Sequence, residues 1–252
     1  TPPTGEHRLA RRQALAIGAA ALGLAWADRG ARAASPAGFR LATFRADVTP
    51  PLGHPLLGGN FAPARSIADP LSAIGLVLLG GKQPIVLVAI DWCEIRNDAY
   101  ARWRQALAAA AGTTMENVLV ACVHQHDAPY VDLTAQRLLD EHQAGRICDP
   151  AFQEQASERV AAALAKSLSE APPITHLGLG QARIEGIASS RRIVLPSGKV
   201  TFGRYSTTRD AAVRGLPEGL IDPQVKMLSF WKGDQPVAAV SFEASASSRL
   251  TS

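Results

Sequence analysis

Residues 34–252 predict an α/β protein: a mixed sheet with buried central strands flanked by helices, followed by a substantial antiparallel β portion. Three observations carry this. Two short, almost wholly apolar runs at 85–90 and 118–123 have the length and β-branching of buried strands. Between and after them, apolar residues recur at helical spacing. Beyond residue 176 the spacing falls to two, with turn residues every few positions. The 252-residue chain is 47% hydrophobic and 19% charged, which suits a folded domain and excludes disordered or coiled-coil classes.

The elements follow in order. A strand over 39–48 ends at Thr49-Pro50-Pro51, and a Gly/Pro-rich loop runs on through Gly53, Pro55, Gly58, Gly59 and Pro63. Runs at 71–79 and 85–90, separated by Gly80-Gly81-Lys82-Gln83, predict a hairpin. The second run reads as a central strand covered on both faces. Asn97 as cap and Gly112 as stop bracket a helix that presents Tyr100, Trp103, Leu107 and Ala110 on one face. Asp149 and Pro150 open a second helix that buries Phe152, Ala156, Val160, Ala163 and Leu164 and ends before Pro172-Pro173. Strands are expected over 177–188, 193–195, 200–205, 225–231 and 237–242, with turns at Pro196-Ser197-Gly198 and Gly233-Asp234.

The net charge of +4 is concentrated at the start. Five arginines against Glu6 and Asp28 give residues 1–33 a net +3 and leave the remainder at +1, which removes the main support for a nucleic-acid partner. Arg8, Arg11 and Arg12 precede an uncharged apolar run from Ala14 to Trp26 and the small-residue pattern Ala31-Arg32-Ala33. That is the three-part form of an export signal, with its paired arginines like a twin-arginine signal. At 13 residues the run is too short to span a bilayer, which takes about 20. The reading is a signal over 1–33, no transmembrane anchor after cleavage, and a mature chain from Ala34 that is periplasmic or secreted. Cys93, Cys122 and Cys148 form no CxxC spacing and read as buried free thiols, with a Cys93–Cys122 disulfide as the other possibility.

The strand at 118–123 runs straight into His124-Gln125-His126-Asp127-Ala128-Pro129. Alternate residues of a strand share a face, so His124 and His126 can address one metal or substrate atom, and imidazole suits zinc. Two histidines at a strand end can equally cap carbonyls or bond a carboxylate. The place at the carboxyl end of a buried strand, where α/β sheets carry their sites, favours function. The metallo-β-lactamase pattern fails because Ala128 stands where its Asp belongs, and an amidohydrolase barrel fails because several strands precede the pair.

Ala46-Asp47-Val48-Thr49-Pro50-Pro51-Leu52-Gly53, Asp69-Pro70-Leu71, the strand ending in Asp91, the His124 to Pro129 motif and Ile221-Asp222-Pro223-Gln224-Val225 occur in that order along the mature chain. Together they resemble the amino-terminal catalytic domain of the neutral/alkaline, non-lysosomal ceramidases, in particular their shorter bacterial relatives. The resemblance implies an exported zinc-dependent amide hydrolase that cleaves an N-acyl bond in a lipid-like small molecule by zinc-activated water. It makes His124 a zinc ligand, His126 the partner of the activated water, and Arg191 of Ser189-Ser190-Arg191-Arg192 the cation facing the oxyanion. Read from the residues alone, Arg191 and Arg192 are equally two solvated arginines at a strand start. Asp47 and Asp91 are structural or support a ligand. Relatives carry a second zinc-binding His where Ala246 stands, and a Glu and a Tyr further on. The expectation is therefore an incomplete, inactive form of the enzyme. The alternatives are a diverged non-catalytic exported binding domain, or a hydrolase with another metal shell drawn from Asp91, His54 or Asp127.

Overall fold

The structure is a computed structural model, described over residues 38–186, 188–205 and 207–243. The export signal read at 1–33 and the position of Ala246 lie outside the described residues. The described residues divide into two compact units, one running to Thr175 and the other starting at His176.

In the first unit β1 (Arg40–Asp47), β2 (Ser72–Leu79), β3 (Ile85–Ile90) and β5 (Val118–Cys122) form one sheet in the order β1-β2-β3-β5. The first three pair antiparallel, β2 and β3 through the expected hairpin, whereas β3 and β5 are parallel. Between β3 and β5 the chain makes a short strand, β4 (Glu94–Arg96), and helix α1 (Asn97–Ala111). After β5 come β6 (Tyr130–Asp132), parallel to β4, then α2 (Leu133–Glu141) and α3 (Pro150–Ser167). Two nested parallel pairs thus leave the same end of the sheet.

Helix α3 lies on β1 and α1 on β5, with the two helices against each other. Their buried Trp103, Leu107, Phe152, Ala156, Val160 and Leu164 meet Val77, Val86, Val88, Ile90, Val118 and Val120 of the strands. Each large apolar side chain fully buried here contributes about 1.5–3 kcal/mol. Trp92 stands edge-on to Trp103 at 5.4 Å, and its buried N–H is satisfied by the Val48 carbonyl at 2.9 Å. Strand β3 is central, as expected, but only one of its faces is buried. Ile85 is 44% exposed, as is Leu119 of β5, which pairs with Leu87, because both helices pack on the opposite face.

Asp149 caps α3 by accepting from the backbone N–H groups of Ala151 and Phe152, with Pro150 at the first position, as the sequence predicts. Gly112 ends α1 in the left-handed region at φ 64°. The start of α1 differs from expectation. Arg96 occupies the cap position without a side-chain capping bond, and Asn97 is the first helical residue at φ 50°. Its amide is spent on Asp132, described below. Helix α2 is absent from the sequence reading; its nine residues bury only Leu133 and the polar Gln136 while Leu138 is exposed, so its apolar residues do not mark the buried face. Gln136 is nonetheless a core residue, its Oε1 accepting from the backbone of Ile147 and Cys148 at 2.8 and 3.1 Å.

The second unit contains an antiparallel sheet of β7 (His176–Arg183), β10 (Gln224–Lys232) and β11 (Gln235–Phe242), in the order β11-β10-β7. A hairpin of β8 (Arg192–Val194) and β9 (Val200–Phe202) and a one-turn helix α4 (Ala211–Arg214) complete it. The strand read over 177–188 ends at Arg183. The chain class is therefore mixed α/β with an antiparallel portion, as its periodicities indicate.

Candidate functional site

The site lies in the first unit, where β3 and β5 end side by side. Their parallel register places Ile90 opposite Cys122, so the residues just beyond each strand become neighbours. The Val123 N–H donates to the Ile90 carbonyl at 3.1 Å, and the Cys93 N–H to the Pro129 carbonyl at 2.9 Å. Leu57 of the Gly/Pro-rich loop donates to the Ala128 carbonyl at 3.0 Å. These bonds pin the segment 123–129 at both ends.

Between the pins the chain leaves strand geometry, with His124 at φ 62°. Leu57 and Asn97, which flank the same region, also have positive φ, at 47° and 50°. Non-glycine residues adopt this region at a cost and tend to cluster where function holds them. His124 and His126 do come together, with ring centroids 5.1 Å apart and near-perpendicular planes. A loop turn does this, not the strand pleat. His126 also meets the edge of Phe61 at 6.2 Å, and Phe61 is itself 42% exposed.

Three groups face Nδ1 of His124. The Cys93 carbonyl oxygen is 3.2 Å away, Glu94 Oε1 3.5 Å and Cys93 Sγ 3.6 Å. The other oxygen of Glu94, Oε2, pairs with Arg96, whose guanidinium sits 5.2 Å over the Tyr130 ring. Cys93, Glu94, Tyr100, Cys122 and His124 are among the walls of a cavity of about 200 Å³. Burial pushes the Cys93 thiol up to about 11 and the Cys122 thiol to about 12, so both are protonated at neutral pH. All three cysteines are free, Cys93 and Cys148 buried and Cys122 half-buried.

The ligand atoms of Cys93, Glu94 and His124 lie within 4.8 Å of one another. Thiolate, carboxylate and imidazole are the three donor types zinc accepts, so the residues present fit that ion. The alternative shell fares differently. His54 is buried, its Nδ1 bonded to the Pro55 carbonyl at 2.6 Å and its ring edge-on to Phe152. Asp91 accepts from the Ser72 N–H at 2.9 Å and Asp47 from the Thr49 N–H at 2.7 Å, so both carboxylates hold backbone. Asp127 is exposed and belongs to no ligand group among the described residues.

Arg191 belongs to the second unit. Its guanidinium lies 5.8 Å over the Tyr205 ring, and its buried Nε has no hydrogen-bond partner among the described residues. It is not a freely solvated cation. Arg204 is a buried arginine that the sequence reading passed over, 7% exposed and donating to the Pro217 carbonyl at 2.7 Å.

No family model matches the chain, and no curated protein matches it by sequence. Solved structures do. The neutral ceramidase of Pseudomonas aeruginosa superposes with a TM-score of 0.56 at 19% identity, over 83% of this chain and 32% of its own. The fold is ceramidase-like. A structure described as ceramidase complexed with C2 gives a TM-score of 0.54 at 18% identity, over 82% of this chain and 31% of its own. The chain thus spans about a third of the length of the ceramidases whose fold it shares. The sequence reading missed Cys93 and Glu94 as site residues; its one local signal was that both follow a buried strand, and their place beside His124 comes from the pairing of β3 with β5.

Proposed function

We propose that this chain contributes to the active centre of an exported, zinc-dependent amide hydrolase of the neutral ceramidase type, which cleaves the N-acyl bond of a lipid-like amide. The observation that carries this is the pair of imidazoles, 5.1 Å apart, at the carboxyl end of two parallel strands in a ceramidase-like fold. His124 is the residue that would hold the ion. Bound zinc supplies a water acidified towards a pKa of about 7 and a polarised carbonyl.

The chain's own residues do the rest. His126, half-exposed beside His124, takes the proton of the attacking water on a ring nitrogen and returns it to the leaving amine. Arg191 keeps the role that the resemblance gives it, the cation that meets the developing oxyanion. Phe61 offers an exposed apolar edge next to His126, which suits an acyl chain. The arginine-flanked apolar run before residue 34 supports export, and among the described residues no helix is long and apolar enough to cross a membrane.

The test is to purify the chain, measure its zinc, and follow release of fatty acid from an N-acyl sphingoid amide. Zinc-dependent release that disappears with its zinc in His124→Ala supports the proposal. Binding of the lipid amide with neither zinc nor turnover would replace the hydrolase with a non-catalytic binding domain.

A further inference from the structure

We infer that Cys93, Glu94 and His124 form one zinc site in which the Cys93 thiolate is the sulfur ligand. The inference rests on the hydrolase reading for the identity of the metal, and on geometry for the ligands.

The three side chains come from two strand ends that only the parallel pairing of β3 and β5 brings together. Cys93 Sγ and Glu94 Oε1 both face the same ring nitrogen, Nδ1 of His124, at 3.6 and 3.5 Å. Arg96 engages Oε2 of Glu94 and so leaves Oε1 for the site. A thiolate and a carboxylate together offset both charges of a divalent cation, and sulfur selects zinc over magnesium or calcium. Three protein ligands with a cavity of about 200 Å³ alongside match the open pattern of a catalytic zinc centre rather than a closed structural one. On binding, the Cys93 thiol gives its proton to solvent and its sulfur a lone pair to the ion. His124 then presents Nδ1 unprotonated, exchanging its contact with the Cys93 carbonyl for the metal.

Cobalt(II) is the probe, because thiolate bound to cobalt gives an intense sulfur-to-metal charge-transfer absorption in the near ultraviolet. The full chain, stripped of metal and titrated with cobalt, should show that band at one cobalt per chain. The band should vanish in Cys93→Ser and persist in Cys122→Ser and Cys148→Ser, and Glu94→Gln should weaken zinc binding at least about tenfold. Zinc-edge X-ray absorption on the unmutated chain gives a measurement independent of any variant, with one sulfur expected at about 2.3 Å. Zinc or cobalt bound without a sulfur neighbour, yet still lost in His124→Ala, overturns the thiolate shell and leaves the hydrolase standing. A folded chain that takes up neither metal overturns both.

Discussion

The side-chain amide of Asn97 donates to Asp132 Oδ2 at 2.6 Å, joining residues 35 apart at the first turns of two different helices. The other oxygen of the same carboxylate accepts from the Ala135 N–H and caps α2, while Asp98 of α1 accepts from the Thr134 N–H. Each helix start is thus held by the other, directly behind the strand pair β4 and β6 that continues from the site. Asp132 is 5% exposed, so removing it loses both the cap of α2 and the bond from Asn97. Asp132→Ala should cost about 2 kcal/mol. Urea unfolding with an unchanged slope would read it, and a loss under about 0.5 kcal/mol would show that the carboxylate does not hold this junction.

Gly75 of β2 pairs with Phe44 of β1, and a Cβ built on Gly75 would fall on the Phe44 ring. The glycine is there for space, since its φ is ordinary for a strand. Gly75→Ala should destabilise by about 1–3 kcal/mol through displacement of that ring. The double change Gly75→Ala with Phe44→Leu should recover part of the loss, and strict additivity in thermal unfolding would contradict the contact.

Burial against Phe152 holds the His54 imidazole below its ordinary 6.5, an effect the Pro55 carbonyl and Asp149 only partly offset. The folded chain keeps the ring neutral, so below 6.5 the unfolded chain binds the extra proton first. This contribution to stability is complete above 6.5 and is lost as the pH falls from there towards the lower folded value. His54→Gln, which keeps a hydrogen-bonding group and does not titrate, should flatten the fall in unfolding free energy between about pH 7 and pH 5. Parallel pH profiles for the two proteins would rule this out.

His126 and Arg191 should separate from His124 in their effects. His126→Gln is expected to lower kcat by about 10²–10⁴ and Arg191→Ala by about 10²–10³, each with zinc content unchanged. Steady-state turnover of an N-acyl amide together with metal analysis reads both. Zinc lost along with activity in His126→Gln would make that ring a ligand instead of a proton carrier.

Most of the elements were legible along the chain. The strand at Ile85–Ile90 and the helices Asn97–Ala111 and Pro150–Ser167 announce themselves because period, capping residues and breakers are local, acting within a few residues of one another. The His124-x-His126 pair was legible for the same reason. The one-sided burial of β3, helix α2 with its buried Gln136, and the positive φ of Asn97 and His124 were not, since each is imposed by a partner distant in sequence.

The chain's local pattern decides its class, the placing of its strands and the end of the sheet at which chemistry would sit. The company His124 keeps is decided elsewhere. Cys93 and Glu94 reach it only because β3 and β5 pair in parallel with Ile90 opposite Cys122, after α1 has carried the chain across one face of the sheet. Strand registry is a property of two segments at once, set by hydrogen bonding between them and by the side chains they bury together, so no single stretch of the sequence contains it.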